Sequence, residues 1–388
     1  METEMKIRMA GLPALAGGLS IALLVAACGP SPIESGGKSA FGGGASDEAL
    51  QAVYAQVEGL TGTARTDRLV QLAKEDGGQV GWYYVGKMDP LVKAFEEQTG
   101  LKISGYQGVS EDLAERAGQE FRTNQQGSDL VLGAAVDLRT MDGEGILGEL
   151  KSPALDDVDE GFKGYNAIAP YANVMVLSYN KDLVPPDKQP TSYEDLFRNP
   201  PSGMGVETGD WQWYENLVRK YFMEQKGMSE QQAIDLITNG LRSAQQVEGH
   251  SLLVELLASG QYGATPNSFA HSIEPLVKAQ SPVTYAASKG DTPPFLLTNA
   301  MALTRGGPNP AGGLVLLEWL MSPDGGQKIF ADMNYGTTSN KYTGPTVVDQ
   351  YSNAIVADLY LTDTPDDVRN WQVKYQELLQ SIGGRPAS

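Results

Sequence analysis

The chain has 388 residues and a formal net charge of -19, with 48 acidic and 29 basic side chains. A chain of this length can bury two separate hydrophobic cores, and its acidic balance disfavours binding to nucleic acid or to anionic lipid. The single cysteine, Cys28, excludes an intrachain disulfide and a cysteine cluster for zinc or iron–sulfur.

The first 28 residues have the pattern of a lipoprotein signal sequence. Lys6 and Arg8 precede an apolar run that ends in Val25-Ala26-Ala27-Cys28. A basic start, an apolar middle and small residues before a cleavage point are typical of a secretory signal peptide, and the final cysteine resembles the acylated residue of bacterial lipoproteins. The alternative is a membrane-spanning helix, which the glycines and proline within the run disfavour. We therefore expect a signal peptide over 1–27 and a lipid anchor at Cys28.

A tether and a helical segment are predicted next. Residues 28–46 are rich in glycine, serine and proline, a composition that buries too little apolar surface to fold. Residues 47–76 carry apolar side chains at helical spacing and lead into the first strand. The chain is therefore expected to be held at a membrane without crossing it.

A strand, a short turn and a helix follow this segment. Residues 80–85 are almost unbroken apolar and aromatic, which is the pattern of a strand covered on both faces in a parallel sheet. Asp89 is placed to cap the helix, Pro90 to occupy its first position and Gly100 to end it. The apolar face repeats at i, i+3, i+4 and i+7, at Met88, Leu91, Val92 and Phe95.

The next segments continue the alternation of strand and helix. A second strand is predicted at 101–103, a helix begins at Ser110, and a third apolar run covers 129–132. A further strand is predicted over 172–180. This βαβαβ order is typical of an α/β fold with a parallel sheet.

A second set of elements begins after a proline-rich connector at 185–190. Thr191 with Glu194, and Ser229 with Gln232, have the spacing of capping boxes and predict two helix starts. The other predicted elements are a strand at 204–206, helices over 214–225 and 252–259, strands at 283–286 and 300–303 that run back to the first set, and helices from 314 onward.

Eight short motifs occur in an order that is found in one protein family. They lie at 95–100, at Asp129, at 145–147 with 152–153, at 179–180, at 192–196, at 249–251 leading into 257–262, at 307–310 and at 320–327. In this order the chain resembles the extracytoplasmic solute-binding proteins of ABC importers, in the branch whose best-known members carry ferric iron.

The resemblance implies a two-lobed α/β fold of the periplasmic-binding-protein type II class, with hinge strands between the lobes and a ligand cleft. The implied division is lobe 1 over 47–173, lobe 2 over 174–282, a return to lobe 1 over 283–310, and C-terminal helices over 311–388 that pack on the lobes. The resemblance also implies a non-catalytic monomer that captures a small polar solute at the extracytoplasmic face of the membrane and hands it to an ABC permease.

The chain departs from the ferric-binding members at one motif. These members hold the metal with adjacent tyrosines in an Asn-x-Tyr-Tyr pattern, whereas this sequence reads Asn267-Ser268-Phe269-Ala270. Both phenolate oxygens are therefore missing. We expect the scaffold of the family without its iron site, and a ferric or divalent metal, or a metal chelate, is an alternative ligand.

Candidate ligand contacts lie at predicted strand ends and helix starts, because ligands of open α/β sheets bind beyond the carboxyl ends of the strands. In the first lobe and at the lobe crossing they are Gly86, Lys87, Met88, Gly133, Ala134 and Tyr171. In the second lobe they are Thr208, Asp210, Trp211, Trp213, His250, Ser251, Asn267 and Phe269. No catalytic residue, metal ligand or cofactor is predicted.

The chemistry of these residues leaves the solute open. Helix-start N–H groups and Lys87 suit a phosphate or a carboxylate, whereas the indole faces of Trp211 and Trp213 suit a sugar ring, an aromatic group or an organic cation. Gly133 and Ala134 are small enough to let the backbone approach a ligand. The structural alternative is that one tryptophan belongs to the core and that Lys87 is only solvated.

Two further hypotheses were weighed against solute binding. His250 and His271 with Glu248 could bind a divalent metal, but their spacing fits no metal-binding motif. The sequence has neither a Gly-x-Ser-x-Gly elbow nor a Gly-x-x-x-x-Gly-Lys loop, and two histidines leave little acid–base machinery for an enzyme. An extracytoplasmic hydrolase or a sensor adaptor therefore stays as an alternative of another class.

Overall fold

The computed structural model describes residues 47–201, 203–286, 291–351, 353–357 and 364–382. The predicted signal peptide over 1–27, Cys28 and the tether over 28–46 lie outside these ranges. None of the helices in the described ranges combines the length and the apolar character that crossing a membrane requires.

The first part of the described chain alternates helices and strands around a central strand, β1. Its elements are α1 (Glu48–Gln56), α2 (Gly62–Glu75), β1 (Gln79–Tyr84), α3 (Asp89–Thr99), β2 (Lys102–Gln107), α4 (Ser110–Thr123), β3 (Leu130–Ala134) and α5 (Ala135–Gly143). β1 runs parallel to both β2 and β3, so the predicted βαβαβ order is confirmed. Trp82 and Tyr83 point to opposite faces of β1 and are both buried, as expected of a strand covered on both faces.

The start of α3 differs by one residue from the prediction. Met88 occupies the N-cap position without a capping hydrogen bond, and Asp89 is the first helical residue. The negative charge of Asp89 therefore stabilises the helix through its dipole rather than by capping. The predicted end is confirmed, because Gly100 terminates α3 with a left-handed φ of 70°.

The second part of the chain carries the remaining elements. From 163 to 258 they are β4 (Lys163–Gly164), β5 (Ala167–Asn180), α6 (Tyr193–Arg198), β6 (Gly205–Glu207), α7 (Trp211–Asn216) with its π-helical continuation Leu217–Gln225, α8 (Glu230–Gly240), β7 (Gln245–Val247) and α9 (His250–Ala258). From 264 onward they are β8 (Ala264–Phe269), α10 (Ala270–Lys278), β9 (Val283–Tyr285), β10 (Phe295–Leu303), α11 (Pro310–Met321), α12 (Lys328–Asp332), β11 (Gly336–Thr337), β12 (Ile355–Ala357) and α13 (Pro365–Ser381).

One of the two predicted capping boxes is confirmed. At α8 the Ser229 hydroxyl and the Gln232 side chain cap the helix reciprocally, as predicted. At α6 the capping residue is Ser192 instead of Thr191, and its hydroxyl accepts a 2.8 Å hydrogen bond from the backbone N–H of Asp195. The prediction was wrong by one residue because neighbouring hydroxyl residues compete for the same cap.

Two long antiparallel strands, β5 and β10, cross the middle of the molecule. They pair from Phe295 opposite Met175 to Met301 opposite Ile168, and β10 also pairs with β3 of the first part. The far end of β5 pairs instead with β8 and β9. β9 therefore pairs with the far end of β5 and β10 pairs with β3, while the predicted return to lobe 1 over 283–310 stays a prediction.

The side chains of β5 and β10 alternate between two hydrophobic cores. Val174 and Leu296 belong to the cluster around β1 and β3, which we call the first core. Met175, Phe295 and Leu297 belong to a second cluster around α6, α7 and α13, the second core. Since neighbouring residues of a strand point to opposite faces, the crossing strands tie the two cores together.

The C-terminal helices divide between these cores. Residues 314–317 of α11 are buried in the first core. The last helix, α13, packs Trp371 and Tyr375 into the second core, and the Tyr375 hydroxyl donates to the backbone carbonyl of Glu207. The end of the chain therefore supports the strand that leads into the candidate site.

A buried carboxyl, Asp129, joins β1, β3 and the start of α11. Its Oδ2 accepts a 2.7 Å hydrogen bond from the Gly81 backbone N–H, and its Oδ1 accepts a 2.6 Å hydrogen bond from the Asn309 backbone N–H. The side chain is only 1% exposed. Burial raises its pKa from 3.8 to about 7, although the two hydrogen bonds act in the opposite direction.

We expect Asp129 to make folding stability fall as pH rises from about 4 to about 7, because the folded chain binds this proton more tightly than the unfolded chain. Replacing Asp129 by Asn removes this titratable carboxyl group. The free energy of unfolding of the wild type relative to Asp129→Asn should drop by on the order of 1 kcal/mol per pH unit in this window. Urea denaturation at several pH values measures the difference, and parallel pH profiles for the two proteins would contradict the prediction.

Candidate functional site

Two parallel strands bring the second-lobe candidates together. β6 pairs with β7, with Glu207 opposite Val247 at their carboxyl ends. The turn after β6 carries Thr208 and Asp210 into α7, and the turn after β7 carries His250 into the start of α9. Ligands of α/β folds bind at such strand ends, so this edge is the candidate site.

Glu207, Asp210 and His250 lie close together in a group that we call the carboxylate–histidine cluster. Glu207 accepts hydrogen bonds from the backbone N–H groups of Gly209 at 2.5 Å and Gly249 at 3.1 Å. His250 Nε2 lies 3.2 Å from Asp210 Oδ1. The turns after β6 and β7 thus fix both a carboxylate and the imidazole.

Asn267 connects this cluster to β8. Its Nδ2 donates a 2.7 Å hydrogen bond to Asp210 Oδ2, and its Oδ1 accepts a 3.2 Å hydrogen bond from the Thr265 hydroxyl. Asn267 is fully buried. It therefore positions Asp210, and its direct contact with a solute stays a prediction.

The pKa values of Glu207 and His250 in the cluster, and that of the neighbouring His271, are shifted from their ordinary values. Burial, and then the charge of Asp210, raises the pKa of Glu207. Burial opposes protonation of His250, but the charge and hydrogen bond of Asp210 and the charge of Glu207 raise its pKa above the ordinary value. Burial, and then the positive charge of His250, lowers the pKa of His271 to about 4. At neutral pH His271 is therefore uncharged.

A row of aromatic rings leads from the cluster to the first core. The ring centroids are 3.7 Å apart for His250 and Phe269, 5.1 Å for Phe269 and His271, and 4.7 Å for His271 and Tyr335. Tyr335 in turn lies 4.7 Å from Tyr171 on β5. This aromatic row joins the predicted residues Phe269 and Tyr171, which are far apart in the sequence.

Tyr171 on β5 and Ala134 on β3 lie on either side of Asn299 of β10 in the main sheet. Asn299 on β10 pairs with both of them, and its Nδ2 donates a 2.7 Å hydrogen bond to the Tyr171 hydroxyl. Tyr171 is only 2% exposed and contacts Phe330 as well as Tyr335. It is therefore a buried support behind the site rather than an open wall of the cleft.

The glycine and alanine at the end of β3 lie next to Ser110. The hydroxyl of Ser110, the first residue of α4, accepts a 2.7 Å hydrogen bond from the Ala134 backbone N–H. A Cβ atom at Gly133 would lie 2.6 Å from that hydroxyl oxygen. Gly133 therefore makes room for Ser110, and its contact with a ligand stays a prediction.

The turn between β1 and α3 is divided between surface and core. Gly86 has a left-handed φ of 76°, and both Gly86 and Lys87 are exposed. Met88 is 1% exposed and belongs to the first core. Lys87 thus stays available to a solute, whereas the predicted contact of Met88 gives way to a packing role.

The two tryptophans of α7 have separate environments. Trp213 is fully buried in the second core, so its predicted solute contact gives way to a packing role. Trp211 is half-buried and packs against both the first and the second core. Thr208 is partly exposed and donates its backbone N–H to Val247, and Ser251 is exposed at the start of α9.

Sequence reasoning missed Glu207 and chose Glu248 as the carboxylate next to the histidines. Glu248 is exposed, whereas Glu207 is 7% exposed and belongs to the cluster. Glu207 is the last residue of β6, so the rule that points to strand ends could have found it. Tyr335 had no comparable signal, because only the folded chain places it beside His271.

Comparison with known proteins identifies the family. The sequence profile of the bacterial extracellular solute-binding proteins matches residues 90–354, and the chain belongs to this family. Comparison with curated protein sequences gives no match.

Several solved structures share the fold. An iron- and citrate-bound protein from Trichodesmium, IdiA (FutA), is 19% identical, has a TM-score of 0.61 and aligns over 79% of this chain and 100% of its own. Iron-bound HitA from Pseudomonas aeruginosa is 16% identical, with a TM-score of 0.62 over 77% and 99% of the two chains. AfuA from Actinobacillus pleuropneumoniae, with bound fructose-6-phosphate, is 16% identical, with a TM-score of 0.61 over 78% and 99%.

These identities are low, so the solved structures establish the fold alone. They are periplasmic binding proteins with two lobes, and the predicted two-lobed α/β class is confirmed.

Replacing each of the two tryptophans by alanine should lower the stability of the protein by different amounts. Trp213→Ala leaves a cavity in the second core and should lower the free energy of unfolding by about 3–5 kcal/mol. Trp211→Ala removes a half-buried ring and should have a clearly smaller effect. Chemical denaturation of the two variants, which are matched in the atoms removed, measures this difference, and equal losses would show that both rings belong to the core.

Proposed function

We propose that this protein captures a small polar solute between its two lobes and delivers it unchanged to the permease of an ABC importer. Membership of the solute-binding family supports the capture of a solute. The observation that carries the choice of site is the convergence of α7, α9 and β8 on one edge, where His250, Phe269 and Trp211 keep exposed surface beside buried polar groups.

The chemistry of this edge limits the part of the solute that contacts it. Glu207 and Asp210 outnumber the one histidine of the cluster, so they repel an anionic group and favour hydroxyl or cationic groups. Phe269 and Trp211 offer ring faces to an apolar or sugar-like surface. Lys87, on the exposed turn after β1, supplies a positive charge for an acidic group.

Among the structurally similar proteins, IdiA (FutA) is in complex with iron and citrate, HitA with iron, and AfuA with fructose-6-phosphate. For this chain a polar organic solute agrees better with the residues than ferric iron does, because Phe269 and Ala270 stand where the iron-binding pattern has tyrosines. The proposed solute is therefore small, organic and rich in hydrogen-bonding groups.

Closure of the two lobes about β5 and β10 explains how the protein captures a solute without a chemical reaction. Both strands contribute side chains to the two cores, and they pair with β3 of the first part and with β8 of the second, so we take them as the hinge. A solute that contacts both lobes only in the closed form shifts the population toward that form. A sensor adaptor would use the same closure, and a hydrolase would require turnover of the solute.

The proposed setting is the extracytoplasmic face of the membrane. Cys28 would carry the lipid, residues 28–46 would act as the tether, and the chain would work as a monomer beside its permease. This part of the proposal rests on the signal-sequence pattern and on the extracellular family.

Screening of the full-length protein against solute libraries by thermal shift, followed by calorimetry, should identify one stabilising solute. Trp211→Ala and Lys87→Ala should each weaken its binding by about tenfold, through loss of a ring face and of a charge. Lys93→Ala is the matched control, because Lys93 is exposed on α3 away from the turn, and it should bind as the wild type does. Unchanged affinity in both site variants would show that the site is misplaced, and turnover of the solute would favour the hydrolase.

Labelling of expressing cells with a radioactive fatty acid should mark the wild-type chain and should not mark Cys28→Ser, because the thiol is the only acceptor of its kind in the sequence. Persistence of the label in the variant would contradict the anchor.

A further inference from the structure

The carboxylate–histidine cluster has the composition and the compactness of a metal site. One ligand atom from each of Glu207, Asp210 and His250 lies within 4.8 Å of the others. Glu207 is 7% and Asp210 is 8% exposed, so both carboxylates are taken almost completely out of water.

The charge of these carboxylates has little compensation in the described part of the chain. Within the described ranges, no lysine or arginine forms an ion pair with Glu207 or Asp210, and the ion-pair partner of Asp210 is His250. Two carboxylates beside one imidazole offer more negative than positive charge, and a buried net charge is costly in a low-dielectric interior. A divalent cation would neutralise this charge.

The hydrogen bonds of the cluster orient the ligands without using up their lone pairs. Each oxygen of Glu207 accepts one backbone N–H, and Asp210 Oδ2 accepts one amide N–H from Asn267. A carboxylate oxygen has two lone pairs, so one remains on each of these atoms for coordination. Such outer hydrogen bonds are the usual means of fixing metal ligands.

The histidine is oriented in the same way. Its ring lies against Phe269, with the centroids 3.7 Å apart and the ring planes tilted by 35°, and Nε2 faces Asp210. A metal ion bound to both atoms would replace the contact that Nε2 and Asp210 Oδ1 now make with each other. His250 is the most exposed member of the cluster, with 19% of its side chain accessible, and provides the entry path.

We propose that Glu207, Asp210 and His250 bind one divalent transition-metal ion in the second lobe. Two carboxylates and one imidazole match the ligands of Zn²⁺, which takes three protein ligands and one open position in many of its sites. The hard ions Mg²⁺ and Ca²⁺ prefer oxygen ligands alone. The open position accepts water or an oxygen of the solute, and the metal site itself does not depend on the solute.

Calorimetric titration of the untagged, full-length, chelator-treated protein with Zn²⁺ tests the site. The wild type should bind one Zn²⁺ per chain, and His250→Ala should weaken binding by about tenfold or more. His271→Ala is the matched control, because this second histidine stacks on the same Phe269 but lies outside the cluster. It should retain wild-type affinity.

Asp210→Asn provides a second variant that keeps the shape of the side chain and removes its charge, and it should also lose Zn²⁺. Circular dichroism melting shows that each variant is folded. Co²⁺ offers an independent readout, because its visible absorption bands should appear with the wild type and with His271→Ala and be absent with His250→Ala. Failure of the wild type to bind one Zn²⁺, or equal losses in the two histidine variants, would overturn the proposal.

Solute binding in the presence of a chelator separates this inference from the proposed function. Capture of a solute by a protein that binds no Zn²⁺ would overturn the metal site and leave transport in place. Binding of Zn²⁺ through His250 with no organic solute found would support the metal site and contradict capture of an organic solute.

Discussion

The alternation of side chains along β5 and β10 is the constraint on which the rest of the structure depends. Val174 faces the first core while its neighbour Met175 faces the second, and Leu296 and Phe295 divide in the same way. Because a strand exposes its two faces in turn, one pair of antiparallel strands can anchor two cores at once. The two lobes are therefore neither independent domains nor one fused body. They share the paired strands β5 and β10.

The candidate site lies at the carboxyl ends of the two parallel strands β6 and β7. β6 and β7 end beside β8, and their turns point Glu207, Asp210 and His250 at one another. Burying these polar groups is unfavourable unless they are hydrogen-bonded. Backbone N–H groups of the glycine turns and the side-chain amide of Asn267 supply these hydrogen bonds. A polar site inside an apolar lobe is thus stabilised by the same turns that create it. The aromatic row then connects this site to the main sheet.

Much of the fold could be predicted from local pattern. The uninterrupted apolar run of β1, the helical period of α3 and the Ser229–Gln232 box each depend on residues that are close in the sequence. Errors arose where two nearby residues competed, as at Met88 and Asp89. In the site, the strand-end rule selected residues at the starts of α7 and α9, which the fold brings together at Asp210 and His250. It could not distinguish Trp211 from Trp213, because two residues of one helix reveal their environments only when the neighbouring elements are placed.

The sequence by itself determined the elements, the family through the order of its motifs, and the loss of the phenolate pair at Phe269 and Ala270, because these features depend on residue identity and short spacing. Only the tertiary structure decided that Gly133 yields its space to Ser110, that β9 stays with the far end of β5, and that Glu207 rather than Glu248 accompanies His250. The physical reason is common to all three. Each depends on which distant segment occupies the neighbouring volume, and that is set by packing and by the pairing of strands across the molecule.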